Sequence, residues 1–84
     1  MLYPVYIHND DNSAFGMIVA DFPGCYAASD DFDGIPAAVQ ESVELYFADE
    51  LRSVPLPTSP AHFSGAAFTG GLWALIDIDL TKLK

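Results

Sequence analysis

The chain has 84 residues and a mass of 9.1 kDa, which suits one domain. Half of it is apolar (51%), so a core is expected despite a formal charge of -9, and a lone cysteine, Cys25, excludes a disulfide scaffold. Twelve acids against three bases disfavour direct binding to DNA, RNA or an anionic membrane and favour a basic partner or a cation, beside a plain gain in solubility.

The run Leu2-Tyr3-Pro4-Val5-Tyr6-Ile7-His8 is aromatic and β-branched and reads as a strand. Tyr3, Val5 and Ile7 share one face, and Leu2, Tyr6 and His8 the other. Pro4 marks an edge strand or a strand beginning. The polar cluster Asn9–Ser13 turns the chain into a second strand, Ala14–Ala20, as an antiparallel hairpin; Gly16 inside it signals a bulge or a close approach. Asp21-Phe22-Pro23-Gly24 has the pattern of a type II turn, and Cys25–Ser29 is a short third strand. Asp33 is the expected cap of a helix from about Gly34 to about Arg52, with Pro36 in its first turn. The helix stripe is Ile35, Val39, Val43, Tyr46, Phe47 and Leu51, flanked by Ala38, Ser42 and Leu45, with Gln40, Glu41, Glu44 and Asp49 opposite.

The proline-spaced segment Val54–Pro60 fits neither a regular helix nor a central strand. A brief helix over Pro60–Gly65, capped by Ser59, is expected after it. Leu72–Leu80 is the last strand, and its apolar start points to a central position. The helical crossover before it allows a parallel pairing with an earlier strand. The sum is a single α+β domain over residues 1–84, of order β-β-β-α-(short α)-β, with one main helix on a four-stranded sheet. Its longest apolar run, Leu72–Ile76, falls far short of the ~18 residues of a membrane span, and Met1–Pro4 lacks the features of a signal peptide, so a cytoplasmic protein is expected.

Several segments together carry a family resemblance. They are Tyr3-Pro4-Val5, the hairpin tip Asp10-Asp11, the motif Asp21-Phe22-Pro23-Gly24-Cys25, the helix Ala37–Tyr46, Pro55-Leu56-Pro57 and the closing Ile76-Asp77-Ile78-Asp79-Leu80. In this order and spacing the sequence resembles the HicB antitoxins of toxin–antitoxin systems, over essentially the whole chain. The resemblance implies a partial RNase H-like fold without RNase activity. It also implies an antitoxin that binds and neutralises a small basic HicA-type toxin, which cleaves mRNA, and assembly as a dimer or larger. Family members usually carry a C-terminal DNA-binding segment, ribbon-helix-helix or helix-turn-helix, and repress their own operon. This sequence stops at Lys84 and is expected to be either an excised N-terminal domain, the C-terminal DNA-binding segment absent from it, or a short member, so DNA binding is not carried over to it.

The alternative from the residues is a divalent-metal-dependent nuclease of RNase H-like fold. Asp77 and Asp79, two apart on a strand, share a face and could hold a metal. The first strand offers no third acid, and the -9 charge repels a nucleic acid substrate, so no catalytic residue, metal or cofactor is expected. A third reading is a small structural subunit. No Lys or Arg lies beside Cys25 to activate its thiol, so it reads as a buried hydrophobe. His8 reads as a surface or interface residue and His62 as a packing or capping one, neither with a second ligand at metal spacing. Asp10, Asp11, Asp30, Asp31 and Asp33 form two acidic clusters, which turn chemistry explains only in part. Phe22, Phe63, Phe68 and Trp73 divide between core and interface anchors. The candidate toxin-binding set is Asp10, Asp11, Phe22, Asp30, Asp31 and Trp73.

Overall fold

The computed structural model describes residues 1–9, 14–48, 54–63, 68 and 70–83. Four strands, β1 (Leu2–Asn9), β2 (Phe15–Val19), β3 (Tyr26–Ser29) and β4 (Leu72–Asp77), form one sheet in the order β3-β2-β1-β4, with every neighbouring pair antiparallel. One helix, α1 (Ile35–Ala48), covers one face. The first expected strand and the short third one are present, the third starting at Tyr26, and the second is trimmed to Phe15–Val19.

The register sorts the side chains. Val5 faces Val19 and Ala74 across its two ladders, and Ile7 faces Met17 and Leu72. Tyr3, Val5, Ile7, Met17, Val19, Ile76 and Ile78 therefore lie on one face, and all are buried with Ile35, Val39, Val43 and Phe47 of α1. The helix stripe thus matches its expected spacing, with Tyr46 half-buried at its margin, while Leu51 and Asp49 lie outside the described residues. Each buried Val, Ile or Phe contributes roughly 1.5–3 kcal/mol, so this face carries most of the hydrophobic stabilisation.

Two expectations about β4 are corrected. It pairs antiparallel to β1, from Leu2↔Asp77 to Ile7↔Leu72, and it is an edge strand. The cause is the path between α1 and β4. The Tyr3 hydroxyl donates to the Pro55 carbonyl at 2.6 Å, and the Thr58 amide donates to Asp21 Oδ2 at 3.0 Å, so the chain rounds the sheet at the start of β1. The Gly71 amide then donates to the Tyr6 hydroxyl, near the other end of β1. The described start and finish of the connection are thus held near opposite ends of β1, with Phe68 against Tyr6 on the second face, and β4 enters from the end where β1 finishes.

Pro4 lies near the beginning of its strand, one of the two positions expected for it, and that strand is central. Met1 and Ile78 exchange both backbone bonds, so by antiparallel alternation Tyr3, Val5 and Ile7 direct their backbone groups to β4, and Pro4 directs its own toward β2. The β2 ladder reaches only Val5, so the N–H that proline lacks has no partner to miss.

Local signals explain the joints. Phe22–Cys25 closes with the Cys25 amide donating to the Phe22 carbonyl at 2.9 Å, and Gly24 has φ +84°, the type II turn that Pro-Gly specifies. The helix cap differs from expectation. A 3-10 turn, Phe32–Gly34, precedes α1, and the capping side chain is Asp31, which accepts from the Gly34 amide at 2.8 Å, in place of Asp33. The extra turn shifts the cap two residues upstream. Pro36 falls in the first turn of α1, as expected. Ser59 caps a short 3-10 turn, Pro60–His62, through the Ala61 amide, with proline first; it ends sooner than expected, at Phe63. β4 stops at Asp77, and Leu80–Lys82 form another 3-10 turn in place of a longer strand. The hairpin is regular at Gly16, where the His8 imidazole lies so close that a Cβ would sit 2.5 Å from it. No described helix is long and apolar enough to cross a membrane.

Candidate protein-docking surface

The motif Asp21–Cys25 forms a structural hub. Phe22 is 1% exposed, with its ring 5.0 Å from Tyr3 and 5.2 Å from Phe47. Asp21 holds the Thr58 amide, and the Pro23 carbonyl accepts from the Tyr46 hydroxyl at 2.8 Å. Cys25 is buried, and that burial pushes its thiol up to about 11. Burial, with a contribution from Asp21, also raises the Tyr3 hydroxyl. Five adjacent residues thus tie the hairpin end to the helix end and to the proline-rich connection. Phe22, in the candidate set as an anchor, is withdrawn from the surface by this packing.

Trp73 lies on the second sheet face. Tyr26, Ile18, Tyr6 and Trp73 form one row across the four strands there. Phe68 and Phe63 close over the Tyr6 and Trp73 end, with ring centroids 5.2–5.9 Å apart among Phe63, Phe68 and Trp73. Tyr6 meets Phe68 edge-on at 5.5 Å. Trp73 is half-buried in this cluster, which covers a sheet face that the single helix cannot reach. Leu2, Leu75 and Tyr26 remain exposed on that face.

Asp77 and Asp79 make separate contacts, and only Asp77 lies in β4. Asp77 takes the N-terminal ammonium at 2.7 Å. Beyond β4 the chain turns, and Asp79 caps the Leu80–Lys82 turn, accepting from the Thr81 hydroxyl at 2.6 Å and the Thr81 amide at 3.0 Å; these bonds hold its carboxyl below the usual range. Among the described residues no three His, Cys, Asp or Glu side chains converge as metal ligands would.

The acidic segment Asp30-Asp31-Phe32-Asp33 does assemble a surface. All four residues are exposed, Phe32 by 57%, although its ring meets Phe15 at 5.7 Å. Beside it, between the start of α1 and the faces of β1 and β4, opens an apolar groove of about 340 Å3, lined by Ile7, Phe32, Asp33, Ile35, Pro36, Ala74 and Ile76. A second hollow of about 300 Å3 shares Ile7 and Phe32 and continues past Phe15 to Leu72, which is 50% exposed. The groove exists because α1 packs chiefly over β3, leaving the core-side face of β4 partly uncovered. Of the candidate set, Asp30 and Asp31 are exposed and precede Phe32 in the chain but do not line the groove, whose one acid is Asp33; Phe22 and Trp73 lie elsewhere, and Asp10 and Asp11 lie outside the described residues. Phe32 and Leu72 are the surface residues that sequence reasoning missed. The available signal was an aromatic residue between acids, in a segment too polar to be a core strand.

Known structures share this architecture. The crystal structure of the antitoxin HicB of Burkholderia pseudomallei is similar over the whole chain, at 26% identity and a TM-score of 0.74, with 67% of that chain covered. The antitoxin HicB3 crystal structure matches 94% of this chain at 23% identity and a TM-score of 0.75, and this chain spans 62% of its length. A chain of the HicA3 and HicB3 toxin–antitoxin complex is similar at 22% identity and a TM-score of 0.71, over 94% of this chain and 99% of that one. No curated protein matches in sequence. The family described as HicB-like antitoxin of bacterial toxin–antitoxin system matches residues 3–84, and the chain belongs to it.

Proposed function

We propose that this chain binds a small basic HicA-type toxin and neutralises its cleavage of mRNA. The observation that carries the reading is family membership across residues 3–84, joined to an excess of nine negative charges on a chain of 84 residues. Lys82 is the only lysine or arginine among the described residues, so the surface offers a cationic toxin little to repel it. A similar antitoxin fold occurs in the HicA3 and HicB3 complex, which supports a toxin of that kind as partner. Neutralisation by this chain is by occupation of the toxin, without catalysis, metal or cofactor of its own. Self-association through the exposed Leu2, Leu75 and Tyr26 of the second face is part of the same proposal, since an apolar sheet face left in water favours a symmetric contact.

Co-expression tests it. The protein encoded beside this chain, expressed alone, should arrest growth, and co-expression of the chain should restore growth and yield a co-eluting complex. Continued arrest, with the two proteins eluting separately, would contradict the reading.

A further inference from the structure

We infer that the groove between the start of α1 and β4 is the seat of the toxin, which places an apolar side chain against Phe32, Ile35 and Ala74 and sets lysine or arginine side chains against Asp31 and Asp33. The inference rests on the toxin-binding reading above and assigns it a surface. The groove combines the two properties a docking site for a cationic protein needs. Its lining is almost wholly apolar, with Phe32 and Leu72 half in water beside it, so an inserted side chain would remove exposed hydrocarbon from solvent. Its rim is anionic, because Asp33 lines it and the exposed Asp31 flanks Phe32 in the chain, with the exposed Asp30 before it.

Charge also selects the occupant. A second copy of the chain seated there would bring an equally acidic molecule, with its own excess of nine negative charges, against the same carboxylates. A basic protein would instead neutralise them and be steered toward them. Another hollow, lined by Gly24, Cys25, Tyr26, Ser42, Leu45 and Tyr46, has no charged residue in its lining and so lacks this complementarity.

Binding of the purified toxin, measured by calorimetry and by surface plasmon resonance, decides the matter. Phe32→Ala and Leu72→Ser should each weaken binding, Phe32→Ala by about thirtyfold, the loss typical of a central aromatic anchor. Asp33→Lys should slow association and flatten its salt dependence. Leu45→Ala, in that other hollow, should change affinity by less than about threefold. Both apolar variants replace exposed side chains, and retained circular dichroism and melting confirm their folding. Wild-type affinity in both would overturn the assignment, as would a Phe32→Ala effect on self-association mass alone. A wild-type chain that fails to bind the toxin at all would instead overturn the toxin-binding reading itself.

Discussion

Phe22 shows how a conspicuous aromatic in a turn motif comes to serve the core. Pro23 and Gly24 set a tight turn, and the Phe22 ring before it packs inward, between Tyr3, Tyr46 and Phe47. Phe22→Ala should therefore cost roughly 3–5 kcal/mol, a large share of the roughly 5–15 kcal/mol that stabilises a small domain, and urea denaturation would measure it. Gly24→Ala should also destabilise, because φ +84° strains any side chain even though the space beyond is open. Cys25 carries a pH dependence. Its thiol ionises near 9.0 when unfolded and at about 11 when folded, so the native state holds its proton longer. Stability should be intact below pH 9 and decline as pH rises from there toward 11, with Tyr3 adding to the decline. Denaturation midpoints at pH 8 and pH 10.5 should draw closer together in Cys25→Ala than in the wild type.

At the scale of elements, α1 has one face fixed by apolar spacing and another fixed by hydrogen bonds that spacing does not reveal. Gln40, which the helical pattern assigns to solvent, clamps the chain beyond β4: its Oε1 accepts from the Asp79 amide at 2.8 Å, and its Nε2 donates to the Asp79 carbonyl at 3.2 Å and to Glu44 Oε2 at 2.8 Å. Gln40→Ala should cost about 1 kcal/mol, more than Glu41→Ala on the exposed side, while Val43→Ala and Phe47→Ala should cost roughly 2–5 kcal/mol. Equal costs for Glu41→Ala and Phe47→Ala in the same urea titrations would show the helix face to be misplaced. The hairpin, the Pro-Gly turn and the stripe Ile35-Val39-Val43-Phe47 were legible because each depends on residues close in sequence. The place and direction of β4 were not. An apolar run such as Leu72–Ile76 looks the same in a central strand and in an edge strand whose second face is roofed by Phe63 and Phe68. Its direction depends on a connection held by Tyr3, Asp21 and Tyr6, contacts that span about fifty residues or more in two of the three cases. The candidate surface was half legible for the same reason: the acids stand together in sequence, whereas the groove beside them forms only when α1 leaves β4 uncovered.

For the whole molecule, the proposed complex assigns net charge and the apolar groove to different stages of one encounter. In that complex, long-range attraction between the acidic chain and a basic toxin would govern how fast they meet, and burial of Phe32 would govern how long they stay. The association rate should fall steeply between low salt and physiological salt, where screening acts beyond ~8 Å, while the dissociation rate should change much less; stopped-flow mixing at several salt concentrations separates the two. The most direct measurement is a titration of the chain into a fixed amount of toxin that is cleaving an RNA substrate. Cleavage should fall in proportion to added chain and vanish near stoichiometric equivalence, with or without Mg2+. Cleavage that persists at saturating chain would contradict the account, as would RNA cleavage by the chain itself that an Asp77→Asn, Asp79→Asn variant abolishes.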